Sequence, residues 1–174
     1  MQAKGLVLVY TGDGKGKTTA AMGLALRAVG HDQRVLIVQF MKGQPTGEVS
    51  ALQRFLPQVD VIQCGREVFV DMDNPEDIDI QLAQSALDRV CQVTSQGEYD
   101  LVILDELNVA IDYGLVRESD VLTMIKNRQP TVTLVITGRG ASQKLQDIAD
   151  MVSEVSEIKH HWRQGIQAQP GIEY

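Results

Sequence analysis

Apolar residues in this chain fall in short runs rich in β-branched side chains, separated by longer stretches in which they recur every three or four positions. The runs are GLVLVY (5–10), RVLIVQF (34–40), VDVIQ (59–63), DLVILD (100–105) and TVTLVITG (131–138), with VSEVSEIKH (152–160) as a weaker sixth. Short, continuous apolar runs predict strands buried on both faces, as in a parallel sheet. The stretches between them predict helices over 17–29, 47–55, 76–96, 118–128 and 141–149. In the longest, Ile80, Ala83, Leu87, Val90 and Cys91 form a stripe at helical spacing, and Asn74 with Pro75 offers a cap and an N-terminal proline. Strand and helix alternate along the chain, which predicts an α/β architecture: a mostly parallel sheet of five to six strands with helices on both faces. No repeat or linker divides it, so residues 1–174 are expected to form a single domain, with 159–174 as a C-terminal tail.

The first strand leads directly into Thr11-Gly12-Asp13-Gly14-Lys15-Gly16-Lys17-Thr18-Thr19 and then an alanine-rich helix start. Strand, glycine loop and helix appear in the order that a phosphate cradle requires. Glycines permit backbone angles that turn successive amides inward, and the helix N-terminus adds partial positive charge, so an anion meets a ring of donors. Lys17 would bridge phosphates, and Thr18 would offer its hydroxyl to a Mg²⁺ (or Mn²⁺) ion. One position departs from GxxxxGK[ST]: Thr11 stands where the first glycine is usual. The fold is therefore expected to be of the P-loop NTPase type, RecA-like, with residues 11–19 binding ATP.

A second motif follows the fourth run. Leu101 to Leu104 form a buried strand that delivers Asp105 and Glu106 to the C-terminal edge of the sheet, where ligands bind in open α/β folds. Asp105 would hold the metal ion, through water, and Glu106 would either touch the metal or activate water. After the fifth run, Arg139 in Thr137-Gly138-Arg139-Gly140 is placed to read phosphate or ribose; the alternative is a surface ion pair with Asp147 or Asp150.

Composition narrows the function. A hydrophobic fraction of 44% over 174 residues suits one packed domain. A net charge of −7 opposes the attraction on which non-specific nucleic-acid binding depends, so no nucleic-acid partner is expected. There is neither a leader pattern nor a stretch of 18 apolar residues, so no membrane association is expected and the chain reads as cytoplasmic. Cys64 and Cys91 make no CxxC pair and are expected to be reduced, with Cys91 on a helix face.

With VYTGDGKGKTTAAMGLALRAVG, VQFMKG (38–43), VILDELN (102–108), VITGRGA (135–141) and KHHWRQGIQAQPGIEY (159–174), the chain resembles the ATP:corrinoid adenosyltransferases through nearly its whole length and in the same order. The resemblance implies transfer of the 5′-deoxyadenosyl group of ATP to the cobalt(I) of a reduced corrinoid, with release of triphosphate and a need for Mg²⁺ or a similar ion. It implies that Lys17 and Glu106 act in catalysis, that the nucleotide lies on the loop with carbon 5′ turned outward, and that residues 39–43, Lys42 among them, contact nucleotide or corrinoid. Phe40 is equally an end-of-strand core residue. In many members a tryptophan after the third strand helps to build the corrinoid pocket; here the loop reads Cys64 to Val70 without one, and Phe69 is the substitute. The resemblance further implies a homodimer and a cobalt-reducing flavoprotein as partner. Longer members carry an N-terminal extension that covers the site, so closure is expected here from a partner subunit or the tail. Within the tail, His160 and His161 read as a surface pair beside an anchoring tryptophan, Trp162, in preference to cobalt ligands; His31 reads as a helix C-terminal cap. A RecA-like ATPase or ATP-gated interaction module, with Glu106 as base, is the principal alternative; for a small-molecule kinase the sequence shows no evident arginine-rich lid.

Overall fold

The computed structural model describes residues 4–68, 70–71 and 74–173. Among them, six strands alternate with six helices: β1 (Val7–Thr11), α1 (Lys17–Val29), β2 (Val35–Phe40), α2 (Gly47–Phe55), β3 (Val59–Cys64), α3 (Asp77–Gln96), β4 (Leu101–Asp105), α4 (Leu107–Asp112), α5 (Glu118–Asn127), β5 (Thr133–Thr137), α6 (Gln143–Ile148) and β6 (Met151–Glu154). Every strand pairing is parallel, in the order β3-β2-β4-β5-β1-β6. None of the helices is long and apolar enough to cross a membrane.

Period-two alternation sorts each strand's side chains onto two cores. Val7, Val9, Leu36, Val38, Phe40, Val102, Leu104, Leu134 and Ile136 join one cluster with residues of α3, α4 and α5. Leu8, Val35, Ile37, Leu101, Ile103 and Val135 join the other with α1 and α2. Because both faces are covered, the central strands are apolar at most positions, which is why they read as nearly continuous runs. On α1, Ala21, Ala25 and Ala28 recur on one face, and their small side chains are buried against the sheet.

Four details differ from the sequence-based expectations. The sixth strand covers Met151–Glu154 only; all four residues are exposed, so no apolar run marks it. The residues after Glu106, where the sequence pattern predicts no helix, form the short helix α4. Helix α3 is capped at Glu76 and not at Asn74: the Glu76 amide donates to Asp79 Oδ2 at 3.3 Å, and Arg66 Nη2 reaches both Glu76 Oε1 and Asp79 Oδ2. Phe40 is completely buried in the core, which removes it from the set of ligand contacts.

Loops at the C-terminal edge of the sheet are packed backbone against backbone. A Cβ on Gly43 would meet Gly65 O at 2.4 Å, and one on Gly65 would meet Met41 C at the same distance. The β2–α2 and β3–α3 loops are thereby held together beside the glycine loop.

Candidate functional site

At the end of β1 the chain turns through Gly12 (φ 94°) and reaches α1 through Gly16 (φ 116°), both in the left-handed region that favours glycine. Thr11 itself stays extended in the strand, where its hydroxyl accepts a hydrogen bond from the Ala141 amide at 3.1 Å. The demand for glycine has moved one residue along, and the side chain at 11 ties the loop to the segment after β5. Gly12 and Gly14 lie against the chain that follows β6: a Cβ on either would come within 2.5 and 2.7 Å of Val155 O. Gly14 also donates its amide to Val155 O at 2.7 Å. The expected ring of inward amides is corrected at this position.

Lys17 opens α1 and is buried. Its ammonium donates to Gly12 O at 2.6 Å and Gly14 O at 2.7 Å, holding the loop in a curl. With three protons and two of these acceptors, it keeps one donor for a ligand. Burial pulls its pKa below the ordinary lysine value, partly opposed by the Glu106 carboxylate.

Asp105, fully buried at the end of β4, is the hub. Its Oδ1 accepts from Thr18 Oγ1 (2.7 Å) and Thr137 Oγ1 (2.8 Å); its Oδ2 accepts from Lys42 Nζ (2.8 Å) and Gln39 Nε2 (3.1 Å). Strand β5 lies between β1 and β4, so Thr137 connects the strand that carries the loop to the strand that carries the carboxylates. Glu106 adopts φ 62°, a left-handed conformation that is costly for this residue type, and its amide donates to Thr137 Oγ1 at 3.0 Å. Burial and the neighbouring Asp105 raise the Glu106 pKa, while Lys42, Lys17 and Arg139 hold it down. Thr18, Asp105 and Glu106 offer oxygen donors only, and the 2.7 Å approach of Thr18 to Asp105 gathers them at one point. That donor chemistry fits a hard divalent ion such as Mg²⁺, and the saturation of both Asp105 oxygens by donors suits binding through water.

These groups open onto a cavity of about 1080 Å³ lined by residues 13–19 of the loop, Lys42, Glu106, Arg139 and part of the tail. Arg139 Nε lies 3.9 Å from Asp13 Oδ1. Asp147 accepts instead from Gln143, and Asp150 lies 3.7 Å from Lys4, so the pairing weighed as the alternative for Arg139 is not the one formed. Phe69 lies outside the described residues. His160 and Trp162 line the cavity, and Trp162 is 63% exposed, so it does not anchor the tail as expected. His31, exposed beyond the end of α1, is not among the lining residues, and its amide donates to Ala28 O.

Sequence reasoning placed Gln39 among the ligand contacts of residues 39–43 and missed that it supports Asp105. Gln39 is buried, and it is held in turn by Gln63 Nε2, which donates to Gln39 Oε1 at 3.0 Å. Thr137, Val155 and the α4 residues Val109 and Asn108 were likewise unread. An alternating polar residue inside an otherwise apolar strand, as at Gln39 and Thr137, is the signal that marks such groups.

A glycine loop between strand and helix, a buried lysine at the helix start, and a carboxylate pair at the end of a strand one removed define a P-loop protein. Residues 3–174 match the family described as ATP:corrinoid adenosyltransferase BtuR/CobO/CobP, and the chain belongs to that family. It is 38% identical over 172 residues to a corrinoid adenosyltransferase of Pseudomonas aeruginosa, covering 98% of this chain and 84% of that one. The Escherichia coli K12 corrinoid adenosyltransferase is 37% identical over 172 residues (98% and 86%), and the Salmonella typhimurium corrinoid adenosyltransferase CobA is 36% identical over 174 residues (99% and 87%).

Proposed function

We propose that this chain transfers the 5′-deoxyadenosyl group of ATP to the cobalt(I) of a reduced corrinoid. The observation that carries this reading is the grouping of Lys17, Thr18, Lys42, Asp105 and Glu106 at one end of a cavity at the upper limit of ordinary small-molecule sites, which leaves space for a second substrate beside the nucleotide. Among the described residues lining that cavity none is Ser or Cys. In this reaction none is required, because the substrate's cobalt supplies the electron pair. A cobalt–carbon bond forms at C5′, the C5′–O5′ bond breaks, and triphosphate leaves with its electrons.

The protein's own tasks are then positional and electrostatic. Lys17 donates to the departing triphosphate with its free proton, and the loop amides and the N-terminus of α1 share that charge. Arg139 and Lys42 add positive charge at the rim. Asp105 holds Lys42 and Thr18 in place through its four hydrogen bonds. Mg²⁺, carried by Thr18, Asp105 and Glu106, would supply charge neutralisation on the phosphates. We further assign the working enzyme to the cytoplasm as a homodimer, with a flavoprotein reducing the cobalt.

The test is anaerobic: the protein is mixed with MgATP and chemically reduced cobalamin or cobinamide. A light-sensitive alkylcobalt spectrum together with triphosphate is the expected result. Orthophosphate released without corrinoid, with an unchanged cobalt spectrum, would overturn the proposal in favour of an ATPase.

A further inference from the structure

The tail brings together three metal-binding side chains that the adenosyl-transfer reading leaves unused. The His160 and His161 rings stack with centroids 4.6 Å apart, and ligand atoms of His160, His161 and Glu173 all lie within 4.8 Å of one another. His161 Nε2 stands 3.4 Å from Glu173 Oε1. That is too long for an ordinary N–H···O bond, and Oε1, although shut off from solvent, accepts no hydrogen bond. Ligands held at about 2.0–2.2 Å on a tetrahedral ion, in contrast, stand roughly 3.4 Å apart. The other cation near this oxygen, Lys15 Nζ, is 3.9 Å away.

We propose that His160, His161 and Glu173 form a second metal site, distinct from the all-oxygen site at Thr18 and Asp105, that takes a late first-row divalent ion. Two imidazoles and one carboxylate match Zn²⁺, which accepts nitrogen and oxygen together, whereas Mg²⁺ selects oxygen alone. Glu173 and His160 line the cavity, so water or an anionic ligand reaches the site from that side. Drawing the three ligand atoms together shifts His160, whose Nδ1 accepts a hydrogen bond from the Trp162 amide at 3.2 Å. That bond caps the short 3₁₀ helix His161–Gln164. Metal binding therefore perturbs the residue next to it, Trp162, which is the chain's one tryptophan. Lys15 carries like charge beside the ion and is displaced from Glu173.

The experiment uses untagged protein with excess Mg²⁺, so that the oxygen site is filled, and no nucleotide. Zn²⁺ is titrated against Trp162 fluorescence, and Co²⁺ against visible absorption. One ion per chain is expected, with a fluorescence change and a Co²⁺ spectrum of tetrahedral intensity. Affinity should fall more than about tenfold in His161→Ala and in Glu173→Gln, since loss of an outer partner alone costs that much. Far-UV circular dichroism identifies a variant that has misfolded, and the other then decides. No binding below millimolar Zn²⁺, or binding undiminished in both folded variants, would overturn the site.

Discussion

The Lys42 ammonium stands 2.8 Å from Oδ2 of Asp105, an ion pair in which the carboxylate is completely sealed from solvent and the lysine mostly so. A charge buried in that way is stable only while its partners remain, because the desolvation it has already suffered is not returned when one is removed. Lys42→Met keeps the length of the stem and removes the charge. The folded state should lose about 1.5–3 kcal/mol, the range for a hydrogen bond to a charged group. Urea unfolding at pH 7 measures it, and a loss below roughly 0.5 kcal/mol would mean that Gln39, Thr18 and Thr137 suffice for Asp105.

Lys17→Ala removes both the curl of the loop and the free donor. If about 3–4 kcal/mol of stabilisation on the leaving group is lost, adenosyl transfer falls by roughly two to three orders of magnitude in kcat. Single-turnover kinetics with saturating ATP read this directly. A tenfold loss or less would exclude Lys17 from a central part.

Thr11→Gly restores the usual loop glycine yet should weaken the protein. The hydroxyl that accepts from the Ala141 amide disappears, and glycine gains freedom in the unfolded chain. Together these cost about 1–2 kcal/mol, or roughly 2–8 °C in Tm for a chain of this size. Thermal unfolding monitored by circular dichroism tests it. An unchanged or raised Tm would show that the Thr11–Ala141 bond adds nothing.

The Arg66 guanidinium holds the Asp79 carboxyl below its ordinary range, chiefly through their hydrogen bonds. A depressed carboxyl contributes stability that is fully present above the unfolded pKa, near 3.9, and is lost as pH falls through the folded value. Asp79→Asn should therefore be less stable than the parent at pH 7 and pH 5, and the gap should narrow below about pH 4. Urea midpoints at pH 7, 5, 4 and 3 follow the difference; a gap constant across that series would argue against the pair.

What the sequence made legible was whatever is local and repetitive. Apolar runs mark β1, β2, β4 and β5 because burial on both faces leaves few polar positions, and the residues of TGDGKGKTT and Asp105-Glu106 are consecutive. Strand β6 was hard to delimit because every one of its side chains is exposed. Helix α4, at six residues, is too short to establish a helical period. The contacts that finish the site were illegible for a different reason: Gln39 reaches Asp105 across 66 positions and Thr137 across 32, and no spacing rule joins them. Even Thr11, visible as a departure from the motif, acquires its meaning only from Ala141, 130 positions away.

The hydrogen bond from Gly14 to Val155 has a consequence for biogenesis. Strand β1 pairs with β5 and β6 alone, and the loop that follows it is moulded by the residues just past β6. Strand β1 is thus without a partner until β5 and β6, more than a hundred residues later, have been made, and its ladder closes late against a large sequence separation. A nascent chain stopped near residue 150 should already hold the β3-β2-β4 sheet while its ATP loop is still unshaped. Translation itself would then keep the loop from its final shape until Val155 has been made.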